Sequence, residues 1–314
     1  MSLSVILQQM GVICILVSIG IYLQKKGIAD SLTSKKLSAI VVDICNPALI
    51  MASILSGNIT ATHGDLLIAA ALGIAFYALL ILLGFLLPRI LKAEPDKRRF
   101  YNLMTVYTNT GFLGIPVARA ILPANAILYI IVINIFYSLL FYTHGLNILG
   151  NAGSVKEKSA RSPLLNILNP GTVMAILSLA VFWFRITLPP ILANTIEYVG
   201  NATVFLSMAL LGISIARSNL AQSLKDFRIW AYIVLRMLLF PISITLLMHA
   251  FSFDPTATLA ICLMAAVPVG NLPMIQAEKI GEDTKILSSA IAVTTAVSIV
   301  TISILMSIFS AWLL

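Results

Sequence analysis

Two stretches of this 314-residue chain combine asparagine, glycine and proline inside otherwise apolar surroundings. The first runs from Asn109 to Pro116 and reads NTGFLGIP, and the second runs from Val267 to Pro273 and reads VPVGNLP. A proline inside a helix lacks a backbone N–H donor and disrupts the hydrogen bond to the residue four positions back. The freed carbonyl and amide groups, together with the asparagine side chains, could bind a small polar or anionic group.

The surroundings of these two motifs are too apolar for a water-soluble protein. Hydrophobic residues make up 60% of the chain and charged residues 10%, whereas soluble domains contain about 25% charged residues. The apolar runs are long and continuous rather than alternating, which favours membrane helices over a β-barrel. The net charge of +8 comes from basic residues that lie between the apolar runs, so it does not indicate binding to nucleic acid.

A membrane-spanning helix needs about 20 apolar residues. By that measure the sequence predicts an all-α membrane protein with ten spans: 4–24, 37–57, 65–90, 99–121, 124–148, 164–185, 191–216, 228–251, 256–280 and 284–313. The connections after the odd-numbered spans carry 4, 5, 3, 3 and 2 Lys and Arg residues, which is 17 of the 20 in the chain. Because basic residues concentrate in cytoplasmic loops, we expect both termini outside the plasma membrane, here a bacterial inner membrane.

The ten predicted spans divide into two sets of five, residues 1–148 and 164–314, joined by a cytoplasmic linker at 149–163. An odd number of spans in each half inverts the second half relative to the first. The two motifs fall in the fourth span of each half, and Asn46-Pro47 in the second span is matched by Gly200-Asn201 in the seventh. Inverted repeats with paired broken helices are typical of secondary transporters that bind substrate near the bilayer midplane.

The depth of both motifs agrees with such a site. Asn109 lies ten residues after Arg99, about 15 Å along a helix, in a hydrocarbon core about 30 Å thick. Pro268 and Asn271 lie 12 and 15 residues after Thr256. Lipid provides no hydrogen-bond partners, so interrupted backbone must face protein or a wet cavity. The sequence leaves open the alternative of two ordinary proline kinks with glycines for close packing.

The predicted substrate site combines polar and small residues of the motifs with their neighbours: Asn109, Thr110, Gly111, Gly270, Asn271, Asn46 and Gln276. Four further residues are expected to shape the crossing backbone without binding substrate through their side chains: Gly114, Pro116, Pro268 and Pro273. For both motif asparagines an equal alternative is that they only satisfy freed backbone groups.

Two ionisable residues lie within predicted spans, where charge is costly and is a functional hypothesis by default. Asp43 could carry a coupling proton, or it could pair with a basic residue near the membrane surface, namely Lys35, Lys36 or Arg236. Arg236 lies about 12 Å past Arg228 along its helix. It could attract anions into a cytoplasmic vestibule or extend its charge to the surface. Coupling to Na⁺ held by backbone carbonyls is also left open.

These motifs resemble those of the auxin efflux carrier family, which includes plant PIN proteins and bacterial relatives described as malonate or malate permeases. NTGFLGIP at 109–116 is similar to the family's fourth-helix motif, and VPVGNLP at 267–273 is similar to its ninth-helix motif. Asn46-Pro47-Ala48-Leu49 resembles its second-helix motif. The resemblance covers the whole chain. Bile acid:sodium symporters share the inverted five-helix architecture and are the alternative family.

The resemblance implies a scaffold of spans 1, 2, 6 and 7 and a mobile transport domain of spans 3–5 and 8–10 that moves like an elevator. With only the 15 residues 149–163 between the halves, regulation through a long cytoplasmic loop is not expected. The implied function is secondary transport of a small organic anion, a carboxylate, bound where spans 4 and 9 cross. Sodium-coupled symport of the bile-acid type is the alternative, followed by a channel or a membrane enzyme.

Catalytic chemistry is not expected, because the chain has no GxSxG, HExxH or phosphate-loop motif. No cofactor and no metal site are expected, apart from Na⁺ or H⁺ as a coupling ion. The expected partners are the organic anion and the lipid bilayer, with a homodimer left open.

Overall fold

The computed structural model describes residues 3–55, 60–150, 168–217, 224–280 and 282–313. Within these ranges the regular structure is helical, and the one strand-like pairing is an isolated antiparallel bridge between Thr108 and Val269. Six helices of these ranges are long and apolar enough to cross a membrane. The all-α membrane class predicted from hydropathy is confirmed, while the arrangement of ten spans as inverted repeats stays a prediction.

The first half of the chain contains α1 to α5. Helix α1 is Leu3–Lys25, α2 passes without interruption through Ser31–Ile40, Val41–Cys45 and Asn46–Leu55, and α3 is His63–Ile90. Helix α4 has two parts, α4a (Arg98–Val106) and α4b (Thr110–Gly114 followed by Ile115–Ile121). Helix α5 consists of Ala126–Leu140, Phe141–Gly145 and Leu146–Gly150.

The second half contains α6 to α10. Helix α6 is Pro170–Phe184, α7 is Pro190–Arg217, and α8 consists of Phe227–Tyr232, Ile233–Leu239 and Phe240–Ala250. Helix α9 has two parts, α9a (Pro255–Ala266) and α9b (Asn271–Lys279), and α10 is Lys285–Leu313. The predicted linker lies outside the described residues from 151 onwards, as do the first residues of the predicted sixth span.

Local capping chemistry sets several helix starts. Asp254 accepts a hydrogen bond from a backbone N–H of the first turn of α9a, and Pro255 follows it. Proline suits this position because its missing N–H would be unpaired there anyway. In α2, the Asp30 carboxylate accepts a bond from the Thr33 N–H at 2.7 Å. Helix α2 therefore begins at Ser31. The hydropathy prediction places this start near residue 37, because hydropathy does not detect a polar capping residue.

Three described helices contain a wide, π-helical stretch directly before a proline. Each stretch ends two residues before that proline: Val41–Cys45 before Pro47, Thr110–Gly114 before Pro116, and Ile233–Leu239 before Pro241. The proline ring clashes with the carbonyl four residues back and leaves it without a donor. A wide turn relieves the clash by moving that carbonyl aside, and such turns occur often at functional sites.

The most extensive contacts fall within two sets of helices, which are joined by the packing of α1 on α10. Helix α1 packs on α7, and α2 packs on both α6 and α7. Helix α3 packs on α4a and α5, while α9a packs on α5, α8 and α10. The contact between α1 and α7 is the closest of these, since a Cβ added at Gly20 would lie 2.1 Å from the Ala209 oxygen and one at Gly212 would lie 2.0 Å from the Val17 oxygen. Only glycine permits two backbones to approach so closely.

Candidate functional site

Both helices that carry the sequence motifs are interrupted. Non-helical residues 107–109 separate α4a from α4b, and residues 267–270 separate α9a from α9b. Two helices therefore end and two helices begin next to the interruptions. A helix carries partial negative charge at its carbonyl end and partial positive charge at its amide end. The interruptions bring both kinds of helix end to the same region.

Two backbone hydrogen bonds join the interruptions. The Asn109 N–H donates to the Pro268 carbonyl at 2.8 Å, and the Gly270 N–H donates to the Tyr107 carbonyl at 3.1 Å. A Cβ added at Gly270 would lie 2.8 Å from the Tyr107 oxygen, so a larger residue would force the two segments apart. Pro268 contributes its carbonyl to this crossing rather than its side chain. We call the region defined by these two hydrogen bonds the crossover.

The Asn109 side chain has one satisfied group and one unsatisfied group. Its Oδ1 accepts a hydrogen bond from the Phe112 N–H at 3.1 Å and thereby caps α4b. Its Nδ2 is buried without a protein partner in the described ranges, and the residue is only 3% exposed. An unsatisfied buried donor costs about 1–3 kcal/mol. Asn109 is not part of the lining of the cavity described below.

Two more asparagines lie beside the start of α4b. The Thr110 hydroxyl donates to Oδ1 of Asn134 at 3.0 Å, and the Asn134 Nδ2 is buried without a partner in the described residues. A Cβ added at Gly111 would lie 3.2 Å from Nδ2 of Asn46. The Oδ1 of Asn46 is likewise buried and unpartnered there. The structure therefore brings Asn46, Thr110 and Gly111 together with Asn109, and their predicted binding of substrate stays a prediction. It adds Asn134, which the sequence interpretation missed.

Asn271 is the first residue of α9b and connects the crossover to an open cavity. Its Oδ1 is buried without a partner in the described ranges, and the residue lines a cavity of about 1680 Å³ together with Gln276 and Phe112. Phe112 lies one residue after Gly111, so the same cavity reaches the start of α4b. Gln276 thus lines this cavity, and its contact with substrate stays a prediction.

The predicted shaping residues lie in or next to the two interruptions. Pro116 is buried in α4b just after its wide turn, and Pro273 is buried in the first turn of α9b. Gly114 faces α9a, because a Cβ added there would lie 2.9 Å from the methyl carbon of Met264. Pro273 removes no needed donor, because the first turn of a helix has no internal partner for its N–H groups, whereas Pro116 leaves the carbonyl four residues earlier without a donor.

A sequence profile of the family described as "Membrane transport protein" matches residues 5–306. The chain belongs to this family. The resemblance to auxin efflux carriers read from the three motifs is thereby confirmed.

Two relatives match over nearly their whole length. The chain is 24% identical over 304 residues to an uncharacterized transporter of Methanocaldococcus jannaschii, covering 93% of this chain and 95% of that protein. It is also 24% identical over 295 residues to an uncharacterized transporter of Methanothermobacter thermautotrophicus, covering 92% of this chain and 94% of that protein. The chain is therefore a multi-pass membrane transporter.

Asp43 of this transporter lies in the wide turn of α2, is exposed, and lines the same cavity as Asn271. Its predicted pairing with Lys35, Lys36 or Arg236 is not present, because no ion pair joins Asp43 to a basic side chain of the described ranges. Lys35 is itself part of the cavity lining. A role for Asp43 in proton coupling stays a prediction.

Arg236 of this transporter lies elsewhere than predicted. The residue is 0% exposed and is absent from the cavity lining. Its Nε donates to the Thr105 carbonyl at 3.0 Å, and its Nη1 donates to the Ala265 carbonyl at 2.5 Å. The guanidinium carbon lies 5.1 Å from the centre of the Phe240 ring. Both predicted roles are wrong, since a charge enclosed by protein neither lines the vestibule nor reaches the membrane surface.

Proposed function

We propose that this transporter carries a small organic carboxylate that binds at the crossover. The observation that carries the proposal is the group of buried and unpartnered asparagine atoms beside the crossover: Nδ2 of Asn109 and Asn134 and Oδ1 of Asn46 and Asn271. The two amide nitrogens are donors that a carboxylate could satisfy. Rotation of the Asn271 side-chain amide by half a turn exchanges its oxygen and nitrogen positions, and its NH₂ group would then be the donor at this place.

Electrostatics at the crossover favour an anion. Helices α4b and α9b both begin there, and the amide end of a helix attracts negative charge. No carboxylate of the described residues lies in either interruption, since residues 107–109 and 267–270 are uncharged. The carbonyl ends of α4a and α9a, which would attract a cation, already accept hydrogen bonds from Arg236.

The proposal includes ten spans arranged as two inverted repeats, with α1, α2, α6 and α7 as the scaffold. Helices α3–α5 and α8–α10 then form the moving transport domain that carries the crossover. The packing of α2 against α6 and α7, and of α9a against α5, α8 and α10, supports this division, and the packing of α1 on α10 would be a contact between the two domains. In such an arrangement an elevator movement would expose the crossover to each side in turn.

The proposed orientation places the large cavity on the cytoplasmic side. Its lining includes Lys35, Arg217 and Lys285, which belong to the first, seventh and ninth connections. Basic residues concentrate on the cytoplasmic side, so the conformation would be open to the cytoplasm. These three cations outnumber the two carboxylates of the lining, Asp43 and Asp226, and the remaining positive charge would raise the local concentration of an organic anion.

A thermal-shift panel tests the proposal. Purified protein is heated with small mono- and dicarboxylates and with amines of the same size, each with sodium or choline as the salt cation. We expect stabilisation by one class of carboxylate, because a ligand at 100 times its Kd stabilises the folded state by about 2.7 kcal/mol. Stabilisation by the amines instead, or by no carboxylate, would contradict the proposal.

A matched pair of variants links the effect to the crossover. Asn109→Ala should weaken the stabilisation, whereas Asn147→Ala should not, because Asn147 is exposed at the end of α5. Counterflow in proteoliposomes then shows whether the stabilising carboxylate is transported. Saturable and slow exchange of a chemically unchanged compound distinguishes a carrier from a channel and from an enzyme.

A further inference from the structure

A charged side chain lies next to the crossover without an acidic partner. Arg236 in α8 is fully buried, and no carboxylate of the described residues lies within ion-pair distance of it. Enclosing an isolated charge in a low-dielectric interior costs several kcal/mol unless other groups compensate. The compensation must come from the groups that contact the guanidinium.

Those groups are the carbonyl ends of the two interrupted helices. Thr105 and Ala265, which accept the two Arg236 hydrogen bonds, are the next-to-last residues of α4a and α9a. One turn earlier on α8, the Tyr232 hydroxyl donates to the Met104 carbonyl of α4a at 2.9 Å. Helix α8 therefore presents three donors to two helix ends that belong to opposite halves of the chain.

These two helix ends would repel each other without a positive charge between them. Each carries partial negative charge on carbonyls that have no partner inside their own helix. In transporters with interrupted helices, such carbonyl ends are groups that coordinate a coupling cation. In this chain Nε and Nη1 of the guanidinium each bond to one carbonyl of these ends, while Nη2 is buried without a partner in the described residues.

We propose that Arg236 is a tethered counter-cation that holds the ends of α4a and α9a together and replaces a coupling Na⁺ ion. It acts as a positioning residue, because it fixes the backbone from which Asn109 and Asn271 project. Thr105 lies four residues before Asn109, and Ala265 lies six residues before Asn271. The inference rests on the proposed anion site, but its test needs no substrate.

The test compares sodium binding by the wild type and by Arg236 variants. Purified proteins are titrated with ²²Na⁺, and their unfolding temperatures are measured in NaCl and in choline chloride at equal ionic strength. The wild type should bind no sodium saturably and should unfold at the same temperature in both salts. Arg236→Met removes the cation and frees both carbonyls, so it should unfold at a lower temperature that NaCl raises and choline chloride does not.

Two further variants serve as controls. Arg236→Lys keeps a positive charge, so it should remain independent of sodium even if its unfolding temperature falls. Arg228→Met removes a basic side chain two turns earlier on the same helix and should behave like the wild type. If Arg236→Met does not fold in either salt, the wild type and the lysine variant still decide the question.

Three results would overturn the inference. They are saturable binding of one ²²Na⁺ per wild-type chain, sodium dependence in the lysine variant, or a folded methionine variant with unchanged unfolding in both salts. Failure of the carboxylate panel in a sodium-independent wild type would instead overturn the proposed function alone.

Discussion

Asn109 performs two separable tasks, and one pair of substitutions can distinguish them. Its Oδ1 caps α4b through the Phe112 N–H, while its Nδ2 is buried and free to donate. Asn109→Ala removes both groups. Asn109→Asp keeps an acceptor for the cap, because aspartate caps helices as well as asparagine does, but it puts an oxygen where the donor was.

The magnitudes follow from these contacts. Loss of the cap in Asn109→Ala should lower the free energy of unfolding by about 0.5–2 kcal/mol. Loss of a hydrogen bond to a charged ligand costs about 1.5–3 kcal/mol, which corresponds to a roughly 10- to 150-fold weaker Kd at 1.4 kcal/mol per factor of ten. Asn109→Asp should keep the cap but bind an anion still more weakly, because like charges repel in a low-dielectric site; the buried carboxylate should also lower the free energy of unfolding.

Titration calorimetry with a carboxylate from the thermal-shift panel measures the affinity, and the unfolding temperature measures the cap. Asn147→Ala provides the matched surface control. The reasoning would be refuted if Asn109→Asp bound the carboxylate as tightly as the wild type. If Asn109→Ala lost stability but kept its affinity, the asparagine would only brace the backbone.

Three further outcomes are expected. Gly270→Ala should destabilise the protein by about 1–3 kcal/mol, the usual cost of overpacking. Gly11→Ala should not, because a Cβ at Gly11 would have no atom within 4 Å, and equal unfolding temperatures of the two variants would contradict the prediction. Thr60→Cys, in a variant without the native cysteines, should react with an impermeant thiol reagent outside intact cells, and labelling only after lysis would reverse the orientation. Arg119 in α4b donates to Asn201 in α7 at 3.0 Å. A short cross-linker between cysteines introduced at these two positions should therefore stop counterflow. Full activity after efficient cross-linking would argue against an elevator.

The interruptions could be predicted from the sequence because their causes are local. Pro268 lies within the second interruption and lacks a helical donor, Gly270 permits a close backbone approach there, and Pro116 accounts for the wide turn that follows the first interruption. Hydropathy likewise located the helices to within a few residues, except at the starts of α2 and α6, where the predictions missed Ser31 and Pro170 by six residues each. In α2 the Asp30 cap extends the helix into a polar stretch that contains Lys35. Apolar length and turn chemistry thus determine most of the secondary structure.

The contacts around the crossover could not be predicted because they join distant residues. Asn134 could have been predicted as a site residue, because it is the one amide side chain in the apolar run Ala126–Leu140. Polar residues within membrane helices commonly have a functional role. Arg236 carried a weaker signal. Its partners are the backbone carbonyls of Thr105 and Ala265. Every residue has a backbone carbonyl, so the residue types at these positions do not indicate the contact. Its depth was visible in the sequence, but the groups that compensate its charge were not.

The burial of Arg236 also constrains how the chain is inserted during synthesis. An arginine at the centre of a lone helix raises the free energy of insertion by about 2.5–3.5 kcal/mol. The Thr105 carbonyl is already made when α8 leaves the ribosome, but the Ala265 carbonyl follows Arg236 by 29 residues. One hydrogen bond of the Arg236 guanidinium in α8 therefore cannot form until α9a has been synthesised. We expect the two helices to insert into the bilayer cooperatively. Nascent chains that end before α9a should therefore be the ones most readily degraded by membrane quality control.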